Sequence, residues 1–320
     1  MTHSVAAAAG RERTLLAMST PQSGIFALGT TYQYHLEFAI RPDVSHDSVL
    51  ASLAALCEPH VSGGATNLVV GFGSALWEKV RAGSPQPAGL GPFAEVVGKD
   101  GHVAPATQHD VWAWVHGGSV DAVYDTANNV ASTLSTVATL EVDCPTFVYH
   151  DSRDLTGFID GSANPTPAEA AVAACIPAGR PGEGGSHVMT QRWVHDLGAF
   201  GELSVPDQEG VIGRTKLDSV ALTGEALPAD AHVALLEIHD AEGNERPIYR
   251  RSTPYGTVNE RGLFFVAFSC ERDRFDVMVA EMYGSEGRQI RDHLLDFSVA
   301  VTGAYYFAPS IEELLQLGVS

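Results

Sequence analysis

From Thr31 to Ile40 the chain reads TYQYHLEFAI, aromatic-rich and alternating, the two-residue period of a half-buried strand. Arg41-Pro42-Asp43 breaks it. Val49, Leu50, Leu53, Leu56 and Cys57 then recur at helical spacing, which predicts an amphipathic helix over Ser45 to Cys57. Thr66 to Phe72 reads as a short apolar strand, and the Gly/Pro-rich 82–92 segment as a loop. Val111-Trp112-Ala113-Trp114-Val115-His116 reads as another strand, with Ser119 as a candidate N-cap. Val120, Val123, Tyr124, Ala127, Val130, Leu134 and Val137 mark the long helix that follows.

The second half repeats this logic. His232 to Ile238 and Glu245 to Arg250 are expected as strands around an Asp240-Ala241-Glu242-Gly243-Asn244 turn. Leu263 to Ser269 is expected as a buried strand. Phe275, Met278, Val279 and Met282 form a helix face ended by Gly284. The strand–helix pair at 111–138 thus has a counterpart at 263–284. The pattern implies an α+β protein of two similar halves joined near residue 150, each a small antiparallel sheet with helices on one face. The Ala/Gly/Pro-rich piece 166–186 reads as an insertion or surface loop. Its Gly182-Glu183-Gly184-Gly185 lacks the spacing of a phosphate cradle.

Composition narrows the partners. Nineteen basic residues against 39 acidic ones give a formal charge of −20, which repels nucleic acid and anionic lipid, so neither is expected as a partner. Cys57, Cys144, Cys175 and Cys270 are scattered with no CxxC pair, which argues against a zinc cluster and for reduced thiols in a cytoplasm. No secretory signal or membrane span is read anywhere, and residues 1–20 read as a loose arm.

The stretch Gly157-Phe158-Ile159-Asp160-Gly161-Ser162-Ala163-Asn164-Pro165 carries the first candidate chemistry. An acid set against apolar neighbours is costly to ionise, and the following Gly lets the backbone turn so that Asp160 can face a cavity as a proton carrier. An Asp-Gly pair is also an ordinary turn, so both readings stand at this point. Arg250-Arg251 puts two cations at a strand end before a Pro turn. His232, beside an apolar run, is either a ligand or a hydrogen-bonded structural imidazole. His195-Asp196 sets an imidazole beside a carboxylate in sequence, but adjacent residues on a strand point oppositely. No GxSxG, HExxH or Walker sequence is present.

Residues 157–161 match the GxxDG motif of the dye-decolorising peroxidases, and the chain resembles the B-type members of that family. Further matching phrases are QRWVHDL at 191–197, VIGRTK at 211–216, RRSTPYG at 250–256 and DHLLDF at 292–297. The ordered set runs from Pro21-Gln22-Ser23-Gly24-Ile25 to Phe307-Ala308-Pro309, nearly the whole chain. The resemblance implies a duplicated ferredoxin-like fold with one haem b per chain, bound in the second half. The corresponding division is an arm over 1–20, halves over 21–150 and 151–310, and a short tail over 311–320.

In the family the iron ligand is a His between the VIGRTK and RRSxPYG phrases, where only His232 and His239 fall; the resemblance implies His232, which in Ala231-His232-Val233 occupies the family's His-Val position. The resemblance assigns the distal acid to Asp160 and the distal arginine to Arg250. The polar distal residue, often Asn in relatives, is Ser252. Arg214 is implied as the haem-propionate partner, and Asp292 as the carboxylate behind the imidazole, with Asp296 as the alternative. The implied activity is reduction of hydrogen peroxide through a ferryl intermediate, with dyes or other aromatic reductants oxidised by one-electron steps. Trp193, Tyr249 and Tyr255 lie near these phrases as possible electron carriers or as core. A homo-oligomer is implied too; with no long tail after Pro309, no cargo role in an encapsulin shell is predicted. The competing reading is a haem-handling protein with little turnover, and a third is a cofactor-free binding protein. A regular hairpin over 232–250 would set His232 and Arg250 side by side, whereas the resemblance puts them on opposite faces of a haem.

Overall fold

The computed structural model describes residues 19–57 and 66–318. Of the arm expected over 1–20, only Ser19 and Thr20 lie inside that range, and residues 319–320 lie outside it. The first half contains β1 (Tyr32–Ile40), α1 (His46–Leu56), β2 (Thr66–Phe72), α2 (Ser74–Val80), β3 (Val96–Val97), β4 (Val103–Ala104), β5 (Val111–Gly117), α3 (Val120–Leu134) and β6 (Ala138–Phe147). The second half contains α4 (Ala170–Ala174), β7 (Ser186–His195), α5 (Leu197–Glu202), α6 (Val205–Ile212), α7 (His232–Leu236), β8 (Tyr249–Arg250), β9 (Thr253–Gly256) and β10 (Arg261–Ser269). It ends with α8 (Asp273–Tyr283), β11 (Ser298–Ala300), β12 (Ala304–Ala308) and α9 (Ile311–Leu315).

The strand orders of the halves are the same. The first runs β6-β1-β5-β2 and the second β12-β7-β10-β8, so in each the last main strand lies outermost, followed by the first, third and second. This is the duplicated ferredoxin-like α+β arrangement. β2 meets β12 at Phe72 and Phe307, merging the halves into one antiparallel ten-stranded sheet in which β9 pairs β10 and β11 pairs β7. β3 and β4 form a separate two-stranded ladder.

Alternation along the strands builds the layers. Leu36 and Phe38 of β1 and Val111, Ala113 and Val115 of β5 pack with Leu53, Val123, Val130 and Leu134 of the helices. Trp112 and Trp114 of β5 point the other way, onto Val188, Val266, Phe268 and Tyr306 of the second half. Met189, Trp193 and Ala267 pack beneath α8, against Phe275, Met278, Val279 and Met282. The sheet therefore curls so that its two halves face each other between outer helices, and a buried hydroxyl bond of 2.8 Å joins Thr146 to Thr253 near its two ends. Leu314 and Leu317, in the stretch expected as a tail, are buried in the first half's core.

Local signals explain most of the elements. Ser45 caps α1 by accepting the Ser48 N–H at 3.2 Å, and Gly284 ends α8 in the left-handed region at φ 61°. Ser119 holds the N-cap position of α3, but its hydroxyl bonds Asp121 instead of a backbone N–H. One element is corrected: residues 232–236, expected as a strand, form a helix. A short continuous apolar run does not distinguish a strand from a buried helix, and here the surroundings decide. His232, Val233, Leu236 and Glu237 all line one cavity, a spacing that only a helix puts on one face. The Asp240–Asn244 turn is present, with Asp240 N–H donating to the Asn244 carbonyl at 2.9 Å, but its arms are an isolated bridge, His239 to Glu245, and the two-residue β8.

The inner faces are not wholly apolar. Gln33 accepts the Trp114 indole N–H at 2.8 Å. Glu37, 1 % exposed, accepts the hydroxyls of Thr190 at 3.1 Å and Tyr306 at 2.9 Å, and so ties β1 to β7 and β12. Burial outweighs these two bonds and pushes the Glu37 carboxyl from 4.5 up to about 7. A raised folded-state pKa gives stability that is complete below about 4.5 and is lost as pH rises through about 7. Urea denaturation should show Glu37 withdrawing about 3 kcal/mol across that window, and Glu37→Gln should flatten that part of the fall. An equal slope in both proteins would refute this.

Candidate active site

The site starts from a tight hairpin. Arg153 bridges Ile159, the Asp154 N–H donates to the Phe158 carbonyl at 2.9 Å, and the Asp160 N–H donates to the Ser152 carbonyl at 2.9 Å. Gly157 makes the turn at φ 91°, a region open mainly to glycine. Phe158 is buried against Phe200 and Val211 and anchors the hairpin beneath α5 and α6. Asp160 is thereby held in the wall of a cavity of about 420 Å³ in the second half. Phe158, Ile212, Val233, Leu236, Leu263 and Met278 supply apolar walls, while Asp154, Asp160, His195, Arg214, His232 and Arg250 supply the polar groups.

His232 opens α7, and its Nδ1 lies 2.6 Å from Oδ2 of Asp292, which is 0 % exposed. The other oxygen of Asp292 accepts the Leu294 N–H at 2.8 Å. A fully buried carboxylate at Nδ1 places the ring proton there and leaves the Nε2 lone pair for the cavity. Among the described residues no hydrogen bond reaches Nε2. Asp296, the alternative partner, instead pairs with Arg291 at the surface.

Asp160 accepts the N–H of Gly161 at 2.6 Å, so the turn bond is real as well. The protein packed around Asp160 pushes its carboxyl above the ordinary range, the nearby Arg250 cation pulls it back, and the Asp154 anion adds to the rise. Arg250 is positioned through its backbone. Asn164 Nδ2 donates to the Arg250 carbonyl at 2.8 Å, and the Arg250 N–H donates to Asn164 Oδ1 at 3.0 Å. Among the described residues no hydrogen bond or ion pair engages the guanidinium, which leaves its fork for a bound group. Arg214 donates to the Ser219 carbonyl at 2.9 Å and lines the same cavity.

Two predicted site residues lie outside the cavity lining: Asp292, fully buried behind His232, and Ser252. Its Oγ accepts the Val266 N–H at 3.3 Å, and it lines a neighbouring cleft of about 280 Å³ that also touches Asp160, Asn164 and Arg250. The side-by-side geometry of a 232–250 hairpin does not arise, because His232 stands on a helix and Arg250 on a strand. Trp193, Tyr249 and Tyr255 are all buried core residues. Asn164 and the pairing of His195 with Asp154 at 3.1 Å escaped the sequence reading, although both lie in or beside the phrases that attracted notice. His195 does not pair with its neighbour Asp196, which caps α5 through the Ala199 N–H at 2.9 Å.

The chemistry of the lining fits an iron porphyrin. The cavity offers wide apolar walls, one imidazole nitrogen with its proton on the far side, and arginines suited to carboxylates. Among the described residues no group of three or more His, Cys, Asp or Glu could hold a bare metal ion, so a metal at His232 needs most of its ligands from elsewhere.

Comparison with known proteins agrees. Residues 61–143 match the family model described as Dyp-type peroxidase, N-terminal, and residues 151–313 the model described as Dyp-type peroxidase, C-terminal. A dye-decolorizing peroxidase of Mycobacterium tuberculosis is 38 % identical over 251 residues, spanning 78 % of this chain and 74 % of that protein. Crystalline DyPB from Rhodococcus jostii RHA1 is 33 % identical with a TM-score of 0.87, covering 95 % of this chain and 100 % of its own. A variant of that protein in complex with heme is 32 % identical with a TM-score of 0.85, covering 95 % of this chain and 98 % of its own. The dye-decolorizing protein of V. cholerae is 34 % identical with a TM-score of 0.81, over 93 % and 97 % of the two chains.

The Asn164 clamp makes a testable claim. Asn164→Ala strips both backbone partners from Arg250 and should lower stability by about 1–2 kcal/mol in chemical denaturation. An unchanged midpoint would mean that water replaces both bonds at no loss.

Proposed function

The chain belongs to the Dyp-type peroxidases and is a haem-dependent enzyme; we propose that His232, Asp292, Asp160, Arg250 and Arg214 carry its reaction with hydrogen peroxide. The observation that supports this most is the buried His232–Asp292 bond of 2.6 Å opening onto the same cavity as Asp160 and Arg250. Bound there, haem b supplies the iron that binds peroxide and takes up its oxidising equivalents for later one-electron oxidation of a dye or other aromatic reductant.

The protein's part is to hold the group and to move a proton. His232 offers Nε2 as the iron ligand, and Asp292 fixes the ring's tautomer and orientation and makes it a stronger electron donor to the metal. Arg214 is suited to a propionate. Asp160, when ionised, takes a proton from one peroxide oxygen and delivers it to the other, so that water can leave. Arg250 stabilises the negative charge that builds on the departing oxygen. Ser252 enters at one remove, lining the smaller cleft that reaches both residues. A haem carrier has no need of this acid–cation pair, which favours turnover over haem handling. A cytoplasmic location, a homo-oligomer and a haem domain over 151–310 complete the proposal. No helix among the described residues is long and apolar enough to cross a membrane.

The absorption spectrum of the purified protein, recorded with and without peroxide, tests the assignment. His232→Ala should lose haem. Asp160→Asn and Arg250→Leu should keep it while slowing the reaction with peroxide by about 10²–10⁴-fold. Loss of haem in the latter two with normal folding would remove the catalytic assignment, and unimpaired rates would favour a different pair of residues.

The pH dependence has a definite sign. Because burial and Asp154 hold the Asp160 carboxyl above its ordinary 3.8, protonation should abolish its action as a base on an acid limb lying above that value. Stopped-flow rates across pH should show the limb in the wild type and not in Asp160→Asn.

A further inference from the structure

His195 and Asp154 form a second imidazole–carboxylate pair in the cavity wall, one with no part in the steps above. Asp154 Oδ1 lies 3.1 Å from His195 Nε2, and Oδ2 accepts the Thr156 N–H at 2.9 Å and its hydroxyl at 2.5 Å. His195 Nδ1 reaches Ser298 Oγ at 2.7 Å, which anchors the imidazole to β11. The side chains of His195 and Asp154 are only 6 % and 14 % exposed, so solvent screens this charge weakly. Burial works against ionisation of Asp154, but the bonds from His195 and Thr156 outweigh it and hold the carboxyl below its ordinary range.

The hairpin brings this anion to Asp160. With Arg153 opposite Ile159, residue 154 stands opposite 158 and residue 152 opposite 160. Side chains 154 and 160 therefore project from the same face as diagonal neighbours, roughly 7–8 Å apart in ordinary sheet geometry. We propose that Asp154 is a positioning residue for the peroxide reaction: a fixed anion, clamped by His195 and Thr156, that governs how readily Asp160 releases and retakes its proton. This rests on the reading of Asp160 as the proton carrier. The other charged and titratable groups around Asp160 are Arg250 from β8, which acts in the opposite sense, and His232 from α7. His195 and Arg214 line the same cavity, as do Glu237, Glu245 and Arg246. No hydrogen bond or ion pair joins Asp160 to His232 among the described residues.

Asp154 also shapes the turn through the Thr156 N–H, so the test must separate charge from shape. Asp154→Asn keeps an oxygen for that bond and removes the charge. Thr156→Val weakens the clamp and leaves the charge. The readout is the infrared band of the protonated carboxyl in the haem-loaded enzyme, assigned to Asp160 by its loss in Asp160→Asn and followed across pH. In Asp154→Asn the band should disappear at a pH lower by about one pH unit, the size expected for a charge at this distance in a partly screened interior. The acid limb of the peroxide reaction should move with it, while Thr156→Val stays near wild type. A band that titrates as in wild type in Asp154→Asn, or one that moves as far in Thr156→Val, overturns the inference. An unshifted band in an active enzyme overturns this inference alone, whereas a haem-loaded enzyme inert to peroxide overturns the functional reading instead.

Discussion

The bond between His232 and Asp292 is the constraint on which the second half depends. A carboxylate sealed from water is tolerated only if both oxygens are used, and Asp292 spends one on His232 and the other on the Leu294 N–H. Its own N–H donates to the Met282 carbonyl at 2.9 Å, near the end of α8. One residue thus joins α8, the 293–296 turn and α7. A five-residue helix has no stability of its own, so α7 exists because this bond and the packing against α8 hold it. The same bond orients the imidazole. Folding of α7 and orientation of the imidazole thus depend on the same bond.

Three enclosed carboxylates show how partners decide the fate of a charge. Asp154 receives bonds from a histidine and a threonine and is driven toward the ionised form. Glu37 receives two neutral hydroxyls, which do not offset burial, and is driven toward the neutral form. Asp160 accepts one backbone N–H and lies between an arginine that favours its charge and an aspartate that opposes it. Opposed influences leave a group responsive to small changes, which suits the proton-carrying role proposed for Asp160. Asp154 and Asp160 both line the cavity, whereas Glu37 lies away from it and ties β1 to β7 and β12.

Much of the fold was legible because strand alternation and helix spacing are local. The helix spacing of Val49, Leu53 and Leu56, the β5–α3 succession and the Gly284 stop all reappear as read. The run at 232–238 failed because its periodicity is ambiguous over so few residues and its conformation is imposed by Asp292, sixty residues away. The site divides the same way. Asp160, Arg250 and Arg214 sit in recognisable phrases and His232 falls between two of them, and the structure brings all four to one cavity. The Asn164–Arg250 clamp and the Asp154–His195 pair are contacts between segments whose juxtaposition no spacing rule encodes. Ser252 was read as facing the cavity with Arg250, but its Oγ meets the Val266 N–H, and a side chain two residues along need not share the cavity when its hydroxyl has a backbone partner.

The duplication invites a comparison of the two crossovers, since this cavity lies in the second half. In the first half, strands β1 and β2 are connected through the eleven-residue helix α1, whose Val49, Leu53 and Leu56 pack into the core. The matching connection in the second half runs from 196 to 248 and is broken into α5, α6 and α7 of six, eight and five residues. Helices this short present too little continuous apolar face to close-pack on a sheet as one long helix does. The capping residues Asp196 and Ser204 and the left-handed Gly213 enforce the breaks, and the 154–164 hairpin supplies another wall. The space that α1 fills in one half is thereby left open in the other, lined by ends of elements where polar side chains can be aimed. The half that holds the cavity is the one whose crossover is long and broken into short helices.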